Sequence, residues 1–457
     1  MSCSTPKSED SEQDMSATTP VAFSGAPGEV KIMTLDPGHF HAALVQKNTY
    51  DQVDSVVHVY APAGDDLQLH LGRIEQFNTR DEDPTNWAET IYTGSDFFDK
   101  MLAEKPGNVV MMSGNNAKKT AYILDAIKGD LNVLADKPMV IHPDGLPLLD
   151  EAYKLAAEKG LLLYDIMTER FEITTILQKE LSQIPELFGE LVEGTPDNPA
   201  ISKESVHHFS KLVSGKPLIR PAWFFDTEQQ GAGIVDVATH LVDLIFWECF
   251  PQEGIGRSDV ELVSARQWPT MLTPDQFKHV TGLGAIPEYL KKDTDEAANL
   301  NVFSNGEFVF KTKGIHGKVS VIWNFEAPEG AKDTHYSIMR GTLAELTIRQ
   351  GKEQNYQPIL YITPTDEADK SQFETKLTEG VASLSEKYPG LTLESAELGW
   401  QLVVPDRYKV GHEAHFTQVT EQYLRYLIDG KLPDWEVQNT LTKYFVTTQA
   451  YEMSRKN

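Results

Sequence analysis

Two short segments of this chain carry side chains suited to acid–base chemistry. Asp136-Lys137-Pro138 places a lysine at the end of an apolar segment, and much later in the chain Asp236 and His240 stand four residues apart. Within a helix, such a spacing brings two side chains to the same face. A lysine, a carboxylate and an imidazole that converge on one cleft can remove a proton from an alcohol. The sequence therefore predicts Lys137, Asp236 and His240 as catalytic residues.

The elements that must position these residues begin at Val30, where short apolar strands start to alternate with amphipathic helices. This alternation is typical of a parallel α/β sheet. It predicts a Rossmann-type, dinucleotide-binding domain over residues 29–167. The predicted strands are 30–35, 55–60, 108–112, 132–135 and 161–166, and the predicted helices are 40–47, 117–127 and 145–159.

Beyond residue 168 the pattern changes to longer strands joined by hairpins. It predicts an α+β domain over residues 168–457, with a large, mostly antiparallel open sheet that binds the substrate and mediates oligomerisation. Asn305-Gly306 is interpreted as a hairpin turn. Gly231 and Gly233 are interpreted as the start of the helix that carries Asp236 and His240. Helical periodicity marks 410–427 and 436–456, whereas the acidic, helix-prone segment 366–394 has no predicted position.

The two motifs, in this order, resemble the Glu-Lys-Pro and Asp-x-x-x-His signatures of the glucose-fructose oxidoreductase / inositol dehydrogenase / MocA-like family, and Asp136-Lys137-Pro138 resembles a known variation of the first. The resemblance implies an NAD or NADP cofactor and a last helix that packs back on the first domain. It also implies that His240 is the general base and that Lys137 binds the reacting oxygen. Asp236 would orient His240 or bind a neighbouring hydroxyl.

The loop after the first strand departs from the family's Gly-x-Gly-x-x-Gly pattern, whose glycines allow the backbone to approach a pyrophosphate. Here the loop reads Asp36-Pro37-Gly38-His39-Phe40-His41, with only the central glycine present. Asp36 would repel a pyrophosphate, and His41 would push the helix away from the strand. The acid expected after the second strand is missing too, which predicts either a modified mode of dinucleotide binding or another use of the domain.

The resemblance also gives candidate binding residues. Ser113-Gly114-Asn115 resembles the Thr-Pro-Asn loop beside the nicotinamide. The cofactor-binding candidates are Gly38, His39, Phe40, Ser113, Asn115, Asp136 and Lys137. The substrate-binding candidates are Arg170, His208, Trp223, Asp236 and His240. A plain salt bridge is the alternative role for Arg170, and a core position is the alternative for Trp223, whose ring could otherwise support a sugar.

A metal site is a further possibility that the histidines raise. His39, His41 and His240 carry suitable ligand atoms, but a spacing of two residues is not diagnostic of a metal site. We therefore expect no metal site from the sequence.

Composition restricts the partners. The chain has 457 residues and a formal net charge of -27, which argues against binding to nucleic acid or to an anionic membrane surface. No apolar run reaches the roughly 20 residues of a membrane span. A neutral carbohydrate suits this charge, and an open sheet face favours a homodimer or a tetramer.

The N-terminal segment is rich in Ser, Thr, Pro and acidic residues, which predicts a disordered acidic tail over residues 1–28. Cys3 leaves two locations open. It could tether a periplasmic lipoprotein, or it could be an incidental cysteine of a cytoplasmic protein.

The sequence thus predicts an NAD(P)-dependent oxidoreductase that acts on a sugar, glycoside or polyol hydroxyl. One alternative is a glycosidase or lyase that uses NAD for a transient oxidation. The other is a sugar-binding protein of the same fold without a cofactor, which the altered glycine motif favours and the retained Lys137, Asp236 and His240 oppose. The sugar, the carbon and the choice between NAD and NADP stay open.

Overall fold

The computed structural model describes residues 22–213, 215–397 and 399–456. The first domain carries the strands β1 Ile32–Leu35, β2 Val56–Tyr60, β3 Ala88–Tyr92, β4 Val109–Met112, β5 Asn132–Asp136 and β6 Leu163–Ile166. Its helices are α1 His41–Leu44, α2 Asp65–Thr79, α3 Phe97–Glu104, α4 Asn116–Lys128 and α5 Leu146–Lys159. In the described residues the strands form one parallel sheet in the order β3-β2-β1-β4-β5-β6. This is the predicted Rossmann-type sheet.

The second domain is built on a larger sheet. Its helices are α6 Ile173–Ser182, α7 Pro185–Phe188, α8 Thr227–Gln230, α9 Ala238–Cys249, α10 Pro274–Thr281, α11 Lys370–Leu384, α12 His412–Asp429 and α13 Glu436–Ser454. Its strands are β7 Ile201–Ser210, β8 Leu212–Val213, β9 Lys216–Pro217, β10 Val260–Leu272, β11 Leu300–Thr312, β12 Ile315–Glu326, β13 Thr334–Arg340, β14 Ala344–Arg349, β15 Ile359–Pro364, β16 Thr392–Ala396 and β17 Gly399–Val403.

Within the described ranges, nine of these strands pair in the order β10-β11-β12-β7-β13-β14-β15-β17-β16. The β12–β7 pair is parallel and the other pairs are antiparallel. The predicted fold class, a parallel sheet followed by a mostly antiparallel one, is therefore confirmed.

Both C-terminal helices return to the first sheet, one on each face. Alternate residues of a strand point to opposite faces, so Ile32 of β1 lies in the core that Phe416 of α12 completes, whereas Met33 lies in the core that Tyr444 of α13 completes. The resemblance implied this return only for the last helix.

Two local predictions are wrong. Asn305-Gly306 is not a turn but lies inside β11, where Asn305 accepts a hydrogen bond from the backbone N–H of Trp323 at 2.8 Å. A Cβ on Gly306 would lie 2.6 Å from the side chain of Ile234, so this glycine permits close packing of the loop before α9. The edge strand β3 escaped prediction because most of its residues are exposed and lack an apolar pattern.

Other segments are more ordered than predicted. Residues 22–28, part of the predicted disordered tail, are held where the backbone N–H groups of Ser24, Gly25 and Ala26 donate to the carboxylate of Glu29. Cys3 and its predicted tether lie outside the described residues. The acidic segment 366–394 forms α11, which buries Phe373 and Leu377 in the core of the second domain. Among the described residues, no helix has both the length and the apolar character needed to cross a membrane.

Candidate active site

Lys137 directly follows β5, a strand in which every residue is buried, and it therefore lies at the carboxyl edge of the parallel sheet. Its Nζ donates a hydrogen bond to Oδ1 of Asp236 at 2.6 Å, and both side chains are less than a tenth exposed. Two segments far apart in the chain thus meet at the edge where α/β proteins bind ligands. The structure brings Lys137 and Asp236 together, as the sequence requires for a site.

The segment that carries Asp236 is not helical, contrary to the prediction. α9 begins only at Ala238, and the preceding residues form turns pressed against β11. A Cβ on Gly233 would lie 1.6 Å from the carbonyl oxygen of Ser304, so only glycine allows this approach. Asp236 therefore enters the cleft from a loop, and it does not share a helical turn with His240.

A polar network that the sequence did not reveal holds this cleft. Gln230 Nε2 donates to Oδ2 of Asp236 at 3.1 Å, and the carbonyl of Gln230 accepts from Asn116 at 2.7 Å. Lys119 Nζ donates to Oδ1 of Asn116 at 2.6 Å and to the carbonyl of Asp136 at 2.7 Å. Asn116 and Lys119 occupy the otherwise apolar buried face of α4, and two polar residues at helical spacing on such a face are the signal that could have found them.

His240 lies on the first turn of α9 and is buried. Its Nδ1 has no hydrogen-bond partner within the described part of the chain. Burial, together with the nearby charge of Lys137, lowers the pKa of His240 to about 3. The imidazole is consequently neutral at pH 7 and able to accept a proton, but Asp236 does not orient it.

Arg170 lies in a buried ion-pair network. Its guanidinium donates to both carboxylate oxygens of Asp243 at 2.6 Å and to those of Glu436 at 2.7 and 2.9 Å. Lys443 Nζ completes the network at 3.0 Å from Asp243 and 2.9 Å from Asp165. This buried network ties β6, α9 and α13 together, which is the salt-bridge role that the sequence left open.

The structure places His208 and Asn115 in contacts within the protein. His208 is buried, with Nδ1 3.1 Å from Oδ1 of Asp333. Asn115 caps α4 by accepting from the backbone N–H of Ala117 at 3.1 Å, and its amide donates to Gln229. Both side chains therefore make polar contacts with other residues of the protein.

The loop at Gly38 borders a small cleft, to which Phe40, Asp66, Arg73 and Arg220 also contribute. Trp223 covers the glycine, because a Cβ on Gly38 would lie 2.8 Å from its ring and 3.0 Å from the carboxylate of Asp66. Trp223 Nε1 donates to that carboxylate at 2.7 Å. The predicted sugar platform thus lies over the cofactor loop.

Asp36, the residue expected to repel a pyrophosphate, pairs with a lysine. Its Oδ2 lies 3.5 Å from Nζ of Lys118 and accepts a hydrogen bond from Tyr122 at 3.4 Å. Its backbone has a φ of 46°, which is uncommon for a residue with a side chain. Lys118 therefore offsets part of the negative charge that this loop would present to a pyrophosphate.

The remaining residues of the loop surround Asp136. Oδ2 of Asp136 lies 2.9 Å from Nδ1 of His41 and 3.8 Å from Nδ1 of His39, and Ser113 Oγ donates to it at 2.8 Å. Burial lowers the pKa of His41 to about 4 and that of His39 well below its usual value. Burial opposes ionisation of Asp136, but His41 and Lys119 hold its pKa well below the ordinary range.

A second small cavity lies between these groups and the lysine. His39 borders both this cavity and the cleft at Gly38. The residues that line the second cavity are His39, Gly114, Asn116, Asp136, Lys137, Gln230 and Asp236. The two spaces therefore lie next to each other, with His39 as the lining residue that they share.

Fold and site together define a two-domain oxidoreductase of the glucose-fructose oxidoreductase / inositol dehydrogenase type, which confirms the resemblance. Residues 177–455 match the family described as "Putative oxidoreductase C terminal domain". The chain belongs to this family. No curated protein matches the chain.

Solved structures share the architecture. A "putative oxidoreductase" from Parabacteroides merdae is 55% identical, with a TM-score of 0.93 over 95% of this chain and 99% of that one. The 3-ketoreductase KijD10 from Actinomadura kijaniata, solved with NADP and TDP-benzene, is 12% identical, with a TM-score of 0.55 over 93% and 97%. GenD2 from gentamicin A biosynthesis, solved with NAD, is 13% identical, with a TM-score of 0.53 over 93% and 94%. The last two likenesses concern the fold.

Proposed function

We propose that this protein is an NAD(P)-dependent oxidoreductase that acts on a hydroxyl group of a sugar, a glycoside or a polyol. The observation that carries the proposal is the meeting of Lys137 and Asp236 at the carboxyl edge of the parallel sheet, close to a neutral His240. A buried lysine, a carboxylate and an imidazole without a hydrogen-bond partner at Nδ1 are costly to keep together in a protein that only binds sugar.

The lining of the cleft at Gly38 supports a dinucleotide. Gly38 presents backbone without a Cβ, and Arg73 and Arg220 supply positive charge beside it. His39 also lines the cavity that contains Lys137. Proteins of the same fold have been solved with NADP and with NAD. Because the ring of Trp223 lies over Gly38, binding at this loop requires that ring to move.

The residues would divide the reaction as follows. The bound nicotinamide would supply the acceptor for the hydride. The neutral imidazole of His240 would take the hydroxyl proton, and the ammonium of Lys137 would donate a hydrogen bond to the same oxygen and stabilise its developing negative charge. Asp236 binds Lys137 at 2.6 Å, so its role is to position the lysine. It does not position the histidine.

One observation favours a second candidate, a sugar-binding protein without a cofactor. Trp223 is held over Gly38 by its hydrogen bond to Asp66, and an aromatic ring in a cleft can support a sugar. This candidate predicts saturable sugar binding without any dinucleotide.

The decisive experiment has two stages. Purified protein is denatured and the supernatant is searched for NAD(H) or NADP(H) by mass spectrometry; the native protein is then incubated with free sugars, glycosides and polyols together with each oxidised dinucleotide. We expect oxidised sugar and reduced dinucleotide in equal amounts. Cleavage of a glycoside without net reduction, with solvent deuterium entering beside the oxidised carbon, would indicate transient oxidation instead. Sugar binding with no dinucleotide bound at any concentration would refute the proposal.

A further inference from the structure

Three side chains with metal-binding atoms converge between the cofactor loop and the end of β5. The ligand atoms of His39, His41 and Asp136 all lie within 4.8 Å of one another. Oδ2 of Asp136 is 2.9 Å from Nδ1 of His41 and 3.8 Å from Nδ1 of His39. A tetrahedral Zn²⁺ with bonds near 2.0–2.1 Å separates its ligand atoms by about 3.3 Å, so small side-chain adjustments would bring these three atoms to that spacing.

The chemistry of the three groups suits a cation. The donor set is two imidazole nitrogens and one carboxylate oxygen, groups that bind a divalent metal when the imidazoles are neutral and the carboxylate is ionised. Imidazole and carboxylate together suit borderline metals such as Zn²⁺ and Fe²⁺. Zn²⁺ sites built from three protein ligands keep a further coordination position open.

The surroundings hold the ligands in place. Ser113 Oγ donates to the ligating oxygen of Asp136 at 2.8 Å, an outer contact of the kind that orients metal ligands. The nearest ammonium groups are already engaged, because Lys137 is paired with Asp236 at 2.6 Å and Lys119 is bound to Asn116 and to the backbone carbonyl of Asp136. Their repulsion weakens cation binding without blocking it.

We propose that His39, His41 and Asp136 form a binding site for a divalent transition-metal ion, with Zn²⁺ as its representative. His39 and Asp136 border the cavity that also contains Lys137, so the open coordination position would face that cavity. The site is independent of the proposed function, since none of its ligands depends on a bound dinucleotide.

The test uses the full, untagged chain, stripped with a chelator and free of dinucleotide. Titration calorimetry with Zn²⁺ should show one ion per chain, and Co²⁺ should give the visible absorption of a four-coordinate site. His39→Ala and Asp136→Asn should each weaken binding by about tenfold to a hundredfold. His39 is the primary target, because its side chain is 16% exposed, whereas that of His41 is 8% exposed.

His412→Ala is the matched control. Its ring lies 5.7 Å from that of His41, yet it is not among the three ligands, so the affinity for Zn²⁺ should stay within about twofold of the wild type. Zn²⁺ should also raise the melting temperature of the wild type and of the control, but not that of His39→Ala. Undetectable binding by the wild type, or equal affinity of His39→Ala and the wild type, would overturn the proposal.

Discussion

Two buried polar clusters take residues from the same segment of the chain, which contains Asp236, His240 and Asp243. They differ in whether all their charged and polar groups are paired. Asp243 belongs to a network in which Arg170, Glu436, Lys443 and Asp165 are all ion-paired. One oxygen of Asp165 lacks a hydrogen bond, but its other oxygen binds Lys443 and Tyr444. Neither of the two cavities described above is lined by Arg170 or Asp243.

The other cluster contains Lys137, Asp236 and His240. Its lysine and its carboxylate border a cavity, and its histidine keeps Nδ1 without a partner among the described residues. Both clusters are buried, so burial does not distinguish them. The comparison teaches that a paired network without space beside it is structural, whereas a cluster with an unpaired base and a cavity beside it is equipped for chemistry.

The largest effect should come from breaking the paired network. Arg170→Met removes the partner of two buried carboxylates, Asp243 and Glu436. Leaving buried charge uncompensated costs about 3–5 kcal/mol. We expect the free energy of unfolding, measured by urea denaturation, to fall by that amount.

The matched control for this experiment is Arg257→Met. Arg257 also makes two bonds to one carboxylate, that of Asp150 at 2.8 and 3.0 Å, but both side chains are more than a third exposed. Exposed pairs contribute about 1 kcal/mol or less. Equal losses in the two variants would mean that the buried network has no special structural role.

The next effect concerns the cluster beside the cavity. Lys137→Ala and His240→Ala should each lower kcat by about 10²-fold or more, the usual scale for acid–base groups. The measurement is steady-state turnover on whichever substrate the screen identifies, with circular dichroism as a check of the fold. Lys159→Ala, which removes a surface pair with Asp130 and a hydrogen bond to the carbonyl of Lys128, should keep the wild-type rate. Unchanged turnover in either site variant would exclude that residue from the mechanism.

The sequence predicted those structural elements that depend on short-range patterns of residues. Most strands of the first sheet are apolar runs, so their positions followed from composition, whereas that of β3 did not. Lys137 followed because it ends one of the apolar runs. The non-helical loop of Asp236 could not be predicted, because it depends on the close approach of Gly233 to Ser304, two residues far apart in the chain. The pairing of Arg170 with Asp243 depends on tertiary contacts in the same way.

The site itself was therefore predicted in part. Lys137 and Asp236 do meet, but the network of Asn116, Lys119 and Gln230 around them was missed. Asp136 was predicted only as a cofactor contact, and its proximity to His39 and His41 required knowledge of how α1 packs over the strand ends. The spacing of residues in the sequence indicates which side chains could take part in catalysis. Tertiary packing determines which of them lie in the same site.

A smaller effect tests whether an unpaired histidine must be functional. His70 of α2 is buried, with no partner in the described structure for either ring nitrogen, and burial, assisted by Arg73, lowers its pKa to about 4. The unfolded state, with a pKa of about 6.5, binds a proton before the folded state does. Stability is therefore lost as pH falls from about 6.5 towards 4, by about 2 kcal/mol between pH 7 and pH 5.

The variant His70→Leu should lack this contribution. Urea denaturation at pH 7 and pH 5 should show a loss of stability smaller by about 2 kcal/mol than in the wild type. Because His70 also lines the cleft at Gly38, kcat is measured at saturating dinucleotide, where it should stay close to the wild-type value at pH 7. An identical loss in both proteins would show that His70 does not titrate as its burial implies. A large fall in kcat would mean that an unpaired histidine away from Lys137 still belongs to the chemistry.

The smallest effect sharpens the comparison at the cofactor loop. A Cβ on Gly38 would lie 2.8 Å from the ring of Trp223 and 3.0 Å from the carboxylate of Asp66, and the backbone there lies outside the left-handed region. Gly38→Ala should therefore cost only about 1 kcal/mol of stability, since a side chain can shift. It should weaken dinucleotide binding about tenfold, because pyrophosphates need close backbone approach.

A double-mutant cycle with Trp223→Ala, read out by dinucleotide affinity, separates a contact with the dinucleotide from a contact with the tryptophan ring. If the glycine serves the dinucleotide, Gly38→Ala stays about tenfold weaker when Trp223 is absent. If it serves only to accommodate the tryptophan ring, the second substitution restores the affinity, and the loop around Gly38 then belongs with the structural network and not with the site.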